Sequence, residues 1–377
     1  MLSCGFAMRL LYAAYISLYF SCHSMRPSAL RDPLFRVLST KGMKEHNPYV
    51  SVCMVTYNQE AYISAAIESV LMQKDCEYEL IIADDCSTDG TLAICQKYQE
   101  RYPDIIKLIR QSGNKGVVGN TKDCMIACKG KYIAVCEGDD YWIDDHKLQK
   151  QVTILEQDPT VSMVHTNWEN FFQEKNQFEE HKPVTGDFVC EKQAGKNGVL
   201  EIIQEQYRGI RFSSICFRAE TLRKAMSDKY DLFNIKYPTC DIVLFYMLAY
   251  HGRIAYLPEK TTVYRIQRES VSISSNSKKN IKFTIGCIYI YYDTWCQYDL
   301  PRQLLNKKLK NSFHYLLETI HESGDTELLK EALALTKEIG YKPSLLQMLR
   351  IPLCYVTHIA KTLFGHDRGT RCLCTIV

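Results

Sequence analysis

The residues best equipped for chemistry in this chain stand at the end of an apolar run. Tyr132-Ile-Ala-Val-Cys136 has strand character and stops at Glu137-Gly138-Asp139-Asp140, with Tyr141-Trp142 directly after. Adjacent carboxylates repel one another unless a positive charge lies between or beside them. A divalent cation carrying a diphosphate meets that need, because Mg²⁺ and Mn²⁺ take hard oxygen ligands. Gly-Asp-Asp is also good turn chemistry, so a solvated turn is the competing reading of these residues taken alone. Two more polar clusters bear on the choice. Thr56-Tyr57-Asn58 closes the apolar run that begins at Tyr49, and Asp84-Asp85 closes Glu79-Leu-Ile-Ile-Ala83.

The elements that must position these clusters alternate in type. Residues 49–56 read as a buried strand. Residues 60–72 carry Tyr62, Ile63, Ala66, Ile67, Val70 and Leu71 on one helical face. Residues 79–83 form a second strand, and Ser87-Thr-Asp89 offers a cap and early negative charge to a helix that runs to about Tyr102. A third strand at 105–109, a helix at 117–128 and a fourth strand at 131–136 follow. This order predicts an α/β fold with a mostly parallel sheet and helices on both faces. The three polar clusters then share the rim formed by the carboxyl ends of the strands, where such sheets bind ligands. After residue 160 strand-like pieces recur at 162–166, 212–217, 253–257 and 261–266, with helices near 219–228 and 240–251. Ser272–Lys279 reads as a polar linker, and 281–363 as helices. There Leu305, Leu309, Phe313, Leu316, Leu317 and Ile320 make one apolar stripe, which at this spacing is core.

Bulk composition sets the bounds. The chain has 377 residues, 46% of them apolar and 24% charged, as in a globular protein with one large domain or two ordinary ones. A net charge of +3 is too small to make nucleic acid the main partner. The 17 cysteines form no Cys-x-x-Cys pair and no zinc spacing, so they read as free, largely buried thiols in a reducing compartment. Residues 1–47 look unlike the rest and read as an extension: a disordered segment, a weak membrane-surface anchor, or an untranslated leader ahead of Met43. The apolar stretch Arg9–Phe20 is too short to span a bilayer. Leu345–Phe364 is apolar with scattered Arg350, His358 and Lys361, and suits either peripheral membrane contact or packing on the rest of the chain. Cys374-Thr-Ile-Val377 fits a prenylation frame by position only.

The ordered set Val50-Ser-Val-Cys-Met-Val-Thr-Tyr57-Asn58, Glu79-Leu-Ile-Ile-Ala-Asp84-Asp85-Cys-Ser87-Thr-Asp89-Gly90 and Gly138-Asp139-Asp140 resembles family 2 glycosyltransferases. The resemblance covers about residues 48–270 and implies the GT-A fold there, with 271–377 as a helical C-terminal region. It implies that Thr56, Tyr57 and Asn58 border the nucleotide and that Tyr57 lies against the base. Asp85 takes the place of the carboxylate that accepts the ring N–H of uracil or thymine, while Asp84 is structural. Asp140 becomes the metal ligand, and Asp139 contacts the ribose or the metal's water shell. Asp241, in Tyr237-Pro-Thr-Cys-Asp241, fits the base that takes the acceptor proton, with Asp231 and Asp228 as runners-up. Arg265 or Arg268 would neutralise phosphate. Gln267 stands where many relatives have histidine, which weakens any metal-ligand role for that segment. Residues 205–215 should border the acceptor.

The implied activity is an inverting, hexosyltransferase-type transfer from a UDP- or dTDP-sugar to a hydroxyl of a glycan or lipid-linked acceptor. The implied setting is polysaccharide or lipopolysaccharide assembly, in the cytoplasm at the inner face of the membrane. Two other readings compete. A nucleotidyltransferase would carry a glycine-rich, basic phosphate loop near its start, and Val55–Glu60 holds neither glycine nor base. A non-catalytic nucleotide-sugar-binding module would have lost a key acid, and the acids are all present.

Overall fold

The structure, a computed structural model, describes residues 49–181, 193–204, 209–227, 231–267 and 276–364. The expectations for the N-terminal extension, Asp228, Arg268, residues 205–208 and the Cys374 frame lie outside these residues.

Four parallel strands form the half of the sheet that matters for the site. They are β1 (Val50–Thr56), β2 (Tyr78–Asp84), β3 (Ile106–Arg110) and β4 (Tyr132–Val135), in the spatial order β3-β2-β1-β4. Between them run α1 (Ile63–Leu71), α2 (Thr91–Arg101) and α3 (Gly116–Ala127). β1, β2 and β4 are largely apolar on both faces because each face is covered, while β3, at the edge, carries Lys107 and Arg110. Cys53, Val55, Ile81, Ala83, Ile133 and Val135 point into one core, and Val52, Met54, Leu80, Ile82 and Ala134 into the other. The register pairs Thr56 with Asp84, and Cys53 with Val135. All these strands therefore end on one rim, as the alternation of elements implied.

The second half of the sheet is mixed rather than parallel. It contains β5 (Tyr141–Trp142), β6 (Val161–Phe172), β7 (Gln177–Glu180), β8 (Cys216–Arg218) and β9 (Arg253–Ile266). β8 runs antiparallel to β4 and to β6, while β6 and β9 are parallel to each other. The two pieces expected at 253–257 and 261–266 form one strand. Its register against β6 jumps from Leu257 to Lys260, across Pro258, which has no N–H to give to a ladder. This half also carries α4 (Lys147–Gln157), α5 (Lys196–Gln204), α6 (Ala219–Ala225) and α7 (Asp241–His251).

Four helices follow: α8 (Ser277–Tyr298), α9 (Arg302–Ser323), α10 (Thr326–Glu338) and α11 (Leu345–Phe364). The stripe Leu305, Leu309, Phe313, Leu316, Leu317 and Ile320 is buried throughout. These residues join the same core as the β1 and β2 side chains Cys53 and Ile81, so the helices pack as part of one compact unit that begins at Asn47. The twelve cysteines in the described residues are all free thiols. No helix among the described residues is long and apolar enough to cross a membrane.

Candidate active site

The loop after β1 is stapled to the loop after β2. Asn58 adopts a left-handed backbone, φ 52°, which asparagine tolerates. Its N–H donates to Ser87 Oγ at 2.9 Å, and its Oδ1 accepts from the Thr88 N–H at 2.8 Å. Asp84 in turn accepts from the Ser87 N–H at 3.0 Å and from its hydroxyl at 2.5 Å. Ser87 therefore braces these turns and does not cap α2, which starts at Thr91 behind Gly90. Asp89 is the residue near that start that accepts the Thr91 N–H, at 3.0 Å. The Asn58 Oδ1 thus serves the turn.

Asp85 is buried, and its Oδ1 accepts the Lys115 N–H at 2.7 Å, tying the end of β2 to the start of α3. A cavity of about 300 Å³ opens there, lined by Thr56, Tyr57, Asp85, Asn120, Glu137 and Asp139 among others. Tyr57 is 46% exposed at its mouth, a ring free to lie against a flat partner. The Thr56 hydroxyl is turned inward and donates to Gln59 Oε1 at 2.8 Å.

The acidic turn lies at the centre. Gly138 packs so closely on the β1 end that a Cβ would sit 2.3 Å from Gln59 Oε1 and 3.0 Å from the Thr56 Cβ. Trp142, buried, anchors the far side by donating its indole N–H to the Ser213 carbonyl at 2.9 Å, and Ser213 Oγ accepts the Glu137 N–H at 3.0 Å. Asp140 is 2% exposed; its Oδ1 accepts the Arg265 N–H at 2.9 Å, and its Oδ2 is buried with no partner. Asp139 Oδ2 accepts from Gln267 Nε2 at 3.1 Å. Burial, and then the Asp139 charge, push the Asp140 carboxyl up to about 7. Burial also raises Asp139, and it raises Glu137 well above the carboxylate range, helped by the charges of Asp140, Asp139 and Asp241. Three oxygen-donor groups crowded in a poorly hydrated place, one with an orphaned oxygen, fit a hard divalent cation.

Arg265 is committed to the turn. Its Nε donates to the Asp139 carbonyl at 2.8 Å, an Nη donates to Gln173, and the guanidinium lies 4.6 Å from the Tyr62 ring centre. It braces the acidic residues and also lines the cavity that holds Asp241. Arg211 was legible only as part of the 205–215 stretch, because it stands in an irregular segment without periodicity. Its guanidinium lies 4.1 Å from the Tyr264 ring centre, its Nε is buried without a partner, and its charge opposes the upward shifts of Glu137 and Asp140.

Asp241 is the first residue of α7. Its Oδ1 accepts from Thr239 Oγ1 at 2.5 Å and from the Ile242 N–H at 2.7 Å, which fixes the carboxylate. It faces a cavity of about 330 Å³ together with Glu137, Asp139, Arg211, Tyr264 and Gln267. Asp139 lines both this cavity and the one beside Asp85. Thr56, Tyr57, Asp85 and Asp139 thus line the first cavity and Asp139, Asp241 and Arg265 the second, while Asp140 is tied to the second through the Arg265 N–H.

A mixed sheet whose first four strands carry a nucleotide-sized cavity and an acidic turn on their rim is the GT-A architecture. The crystal structure of S. aureus TarS 1-349 in complex with UDP-GlcNAc shares it, with a TM-score of 0.53 at 16% identity over 85% of this chain and 93% of that one. Residues 51–223 match Glycosyl transferase family 2. An uncharacterized protein of Mycobacterium tuberculosis is 32% identical over 219 residues, which are 57% of this chain and 58% of that protein. The chain thus spans little more than half of that relative's length. The Escherichia coli UDP-Glc:alpha-D-GlcNAc-diphosphoundecaprenol beta-1,3-glucosyltransferase WfgD is 31% identical over 152 residues, 40% of this chain and 55% of that protein.

Proposed function

We propose that this protein is an inverting glycosyltransferase that moves a sugar from a UDP- or dTDP-sugar to a hydroxyl of a glycan or lipid-linked acceptor. The observation that carries the reading is the shared position of Asp139, which lines both the Asp85 cavity and the Asp241 cavity. A nucleotide in the first and a hydroxyl in the second would meet at the acidic turn.

In this reading the Tyr57 ring lies on the pyrimidine, and Asp85 accepts its ring N–H; losing that bond would leave a buried charge unpaired. Asp140, with Asp139, would hold Mg²⁺ or Mn²⁺. When bound, the cation supplies charge neutralisation for the diphosphate that leaves. Asp241 accepts the acceptor's hydroxyl proton as that oxygen bonds to the anomeric carbon, and the bond from that carbon to the diphosphate oxygen breaks on the opposite face. The two bonds that fix Asp241 Oδ1 aim the carboxylate for this task. Arg211 and Arg265 keep the acidic cluster from repelling the donor.

The reading includes assembly of cell-surface glycan at the cytoplasmic face of the membrane. Helix α11 contains no acidic residue, and its Leu345, Leu346, Met348 and Leu349 are all exposed, which suits peripheral contact with lipid.

A thermal-shift screen of nucleoside diphosphates with and without Mn²⁺ tests the donor side, with stabilisation by UDP or dTDP expected only when metal is present. Asp241→Asn is expected to keep that stabilisation and lose transfer by roughly 10²–10⁴-fold. Near-normal transfer by this variant would exclude Asp241 as the base.

A further inference from the structure

A third cavity, about 930 Å³ in volume, adjoins the first two. It shares Tyr57 and Asp139 with the nucleotide cavity, and Asp139, Gln267 and Phe283 with the Asp241 cavity. Neither the nucleotide nor the transferred sugar needs this space, so on the glycosyl-transfer reading it falls to the acceptor.

Its walls carry a distinct chemistry. Lys279 and Lys282 stand three residues apart on α8, on one face of the helix, and Lys236 lines the same cavity from the segment before α7. Lys279 and Lys282 are exposed, and neither has an ion-pair partner among the described residues. Lys236 pairs with Glu338 at 2.9 Å and lies 4.3 Å from the Tyr289 ring centre. Among the described residues the carboxylates in the lining are Asp139, which belongs to the donor side, and Glu331. Between the lysines the wall is apolar: Ile235 is 92% exposed, with Phe283 and Tyr289 also in the lining.

We infer that this cavity recognises an acceptor bearing a phosphoryl group, a phosphate or diphosphate close to the hydroxyl that is glycosylated. The inference rests on the glycosyl-transfer reading and names the substrate class of that site. Paired ammonium groups act as point charges that suit phosphate, whereas planar carboxylates are best gripped by the arginine fork, and no arginine lines this wall among the described residues. The phosphoryl group has two sources, a lipid diphosphate or a phosphate within a glycan. The exposed apolar strip suits the chain of either.

The test uses the full-length protein saturated with UDP and Mn²⁺, so that the donor site is filled. Binding of geranyl diphosphate, inorganic pyrophosphate and geraniol is measured by calorimetry, for the wild type and for Lys279→Gln/Lys282→Gln. Geranyl diphosphate is expected to bind and geraniol to fail, and the double variant is expected to weaken geranyl diphosphate binding about tenfold or more with UDP affinity unchanged. Pyrophosphate binding as tight as geranyl diphosphate supports a glycan-borne phosphate, and weaker binding supports a lipid-borne one. The inference is overturned if neither anion binds the UDP-saturated protein, if geraniol binds equally well, or if the double variant lowers UDP affinity. Failure of the wild type to bind UDP with Mn²⁺ is a separate result, which removes the transfer reading itself.

Discussion

The turn Glu137–Asp140 and the segment Asp144–His146 offer nearly the same ligand atoms four residues apart, in opposite electrostatic settings. Asp144, Asp145 and His146 bring their donor atoms within 4.8 Å of one another. Every one of them is already answered: Asp144 pairs with Lys150 at 2.6 Å, Asp145 with Lys74, and His146 with Asp145 at 2.6 Å and Asp75 at 3.2 Å. The lysine partner holds Asp145 below the carboxylate range. None of these three residues lines the cavities around Asp139. In the turn, by contrast, Asp140 is buried with its Oδ2 orphaned, and no lysine pairs with the three acids among the described residues. An acidic pair marks a cation site through what the fold withholds from it, and composition alone does not separate the two clusters.

The largest break in this comparison comes from removing one carboxylate on each side. Asp140→Asn should reduce sugar transfer by about 10³-fold, roughly 4 kcal/mol of barrier, in a donor-turnover assay. Asp144→Asn/Asp145→Asn should stay within about threefold of wild type, because these carboxylates pair with lysines and line none of the three cavities. Equal losses would erase the distinction.

Stability against pH sharpens it next. A carboxyl whose folded pKa is raised holds its proton more tightly folded than unfolded, so folding loses stability as pH climbs from 3.8 to about 7. In EDTA, Asp140→Asn should therefore be more stable than wild type at pH 8 by on the order of 2–4 kcal/mol, with the gap closing toward pH 4. Asp145 has the opposite sign: held low, it contributes stability above its unfolded pKa that fades as pH falls through the folded one. Denaturant melts of both variants across pH read the two slopes.

Gly138→Ala should follow, costing about 1–3 kcal/mol because the added methyl meets the Thr56 side chain. The smallest effect is on the thermal midpoint of Asp144→Asn/Asp145→Asn, expected to move by no more than about 2 °C.

Much of the site was legible because strands buried on both faces write long apolar runs, and the polar residues that end them are conspicuous. The apolar runs at 49–56, 79–83 and 131–136 put Tyr57, Asp85 and Asp139 on one rim. Local chemistry was less readable. Ser87 looked like a helix cap and instead ties Asn58 to Asp84, a bond across 29 residues. The bond by which Arg265 braces Asp139, 126 residues away, left no mark in the sequence. Arg211 was legible only as part of the 205–215 stretch, and the lysines of α8 gave no signal, since their roles depend on which loops share a cavity. The antiparallel β8 and the unbroken β9 were likewise hidden, because a three-residue strand and a strand crossing Pro258 have no clear period.

The most direct measurement is a count of bound Mn²⁺ by electron paramagnetic resonance, in the presence of UDP, for wild type, Asp140→Asn and Asp144→Asn/Asp145→Asn. One ion on the wild type and on the Asp144/Asp145 variant, and none on Asp140→Asn, is the result expected of a cation site at the acidic turn. An ion retained by Asp140→Asn and lost from the Asp144/Asp145 variant would contradict it and move the metal to the other cluster.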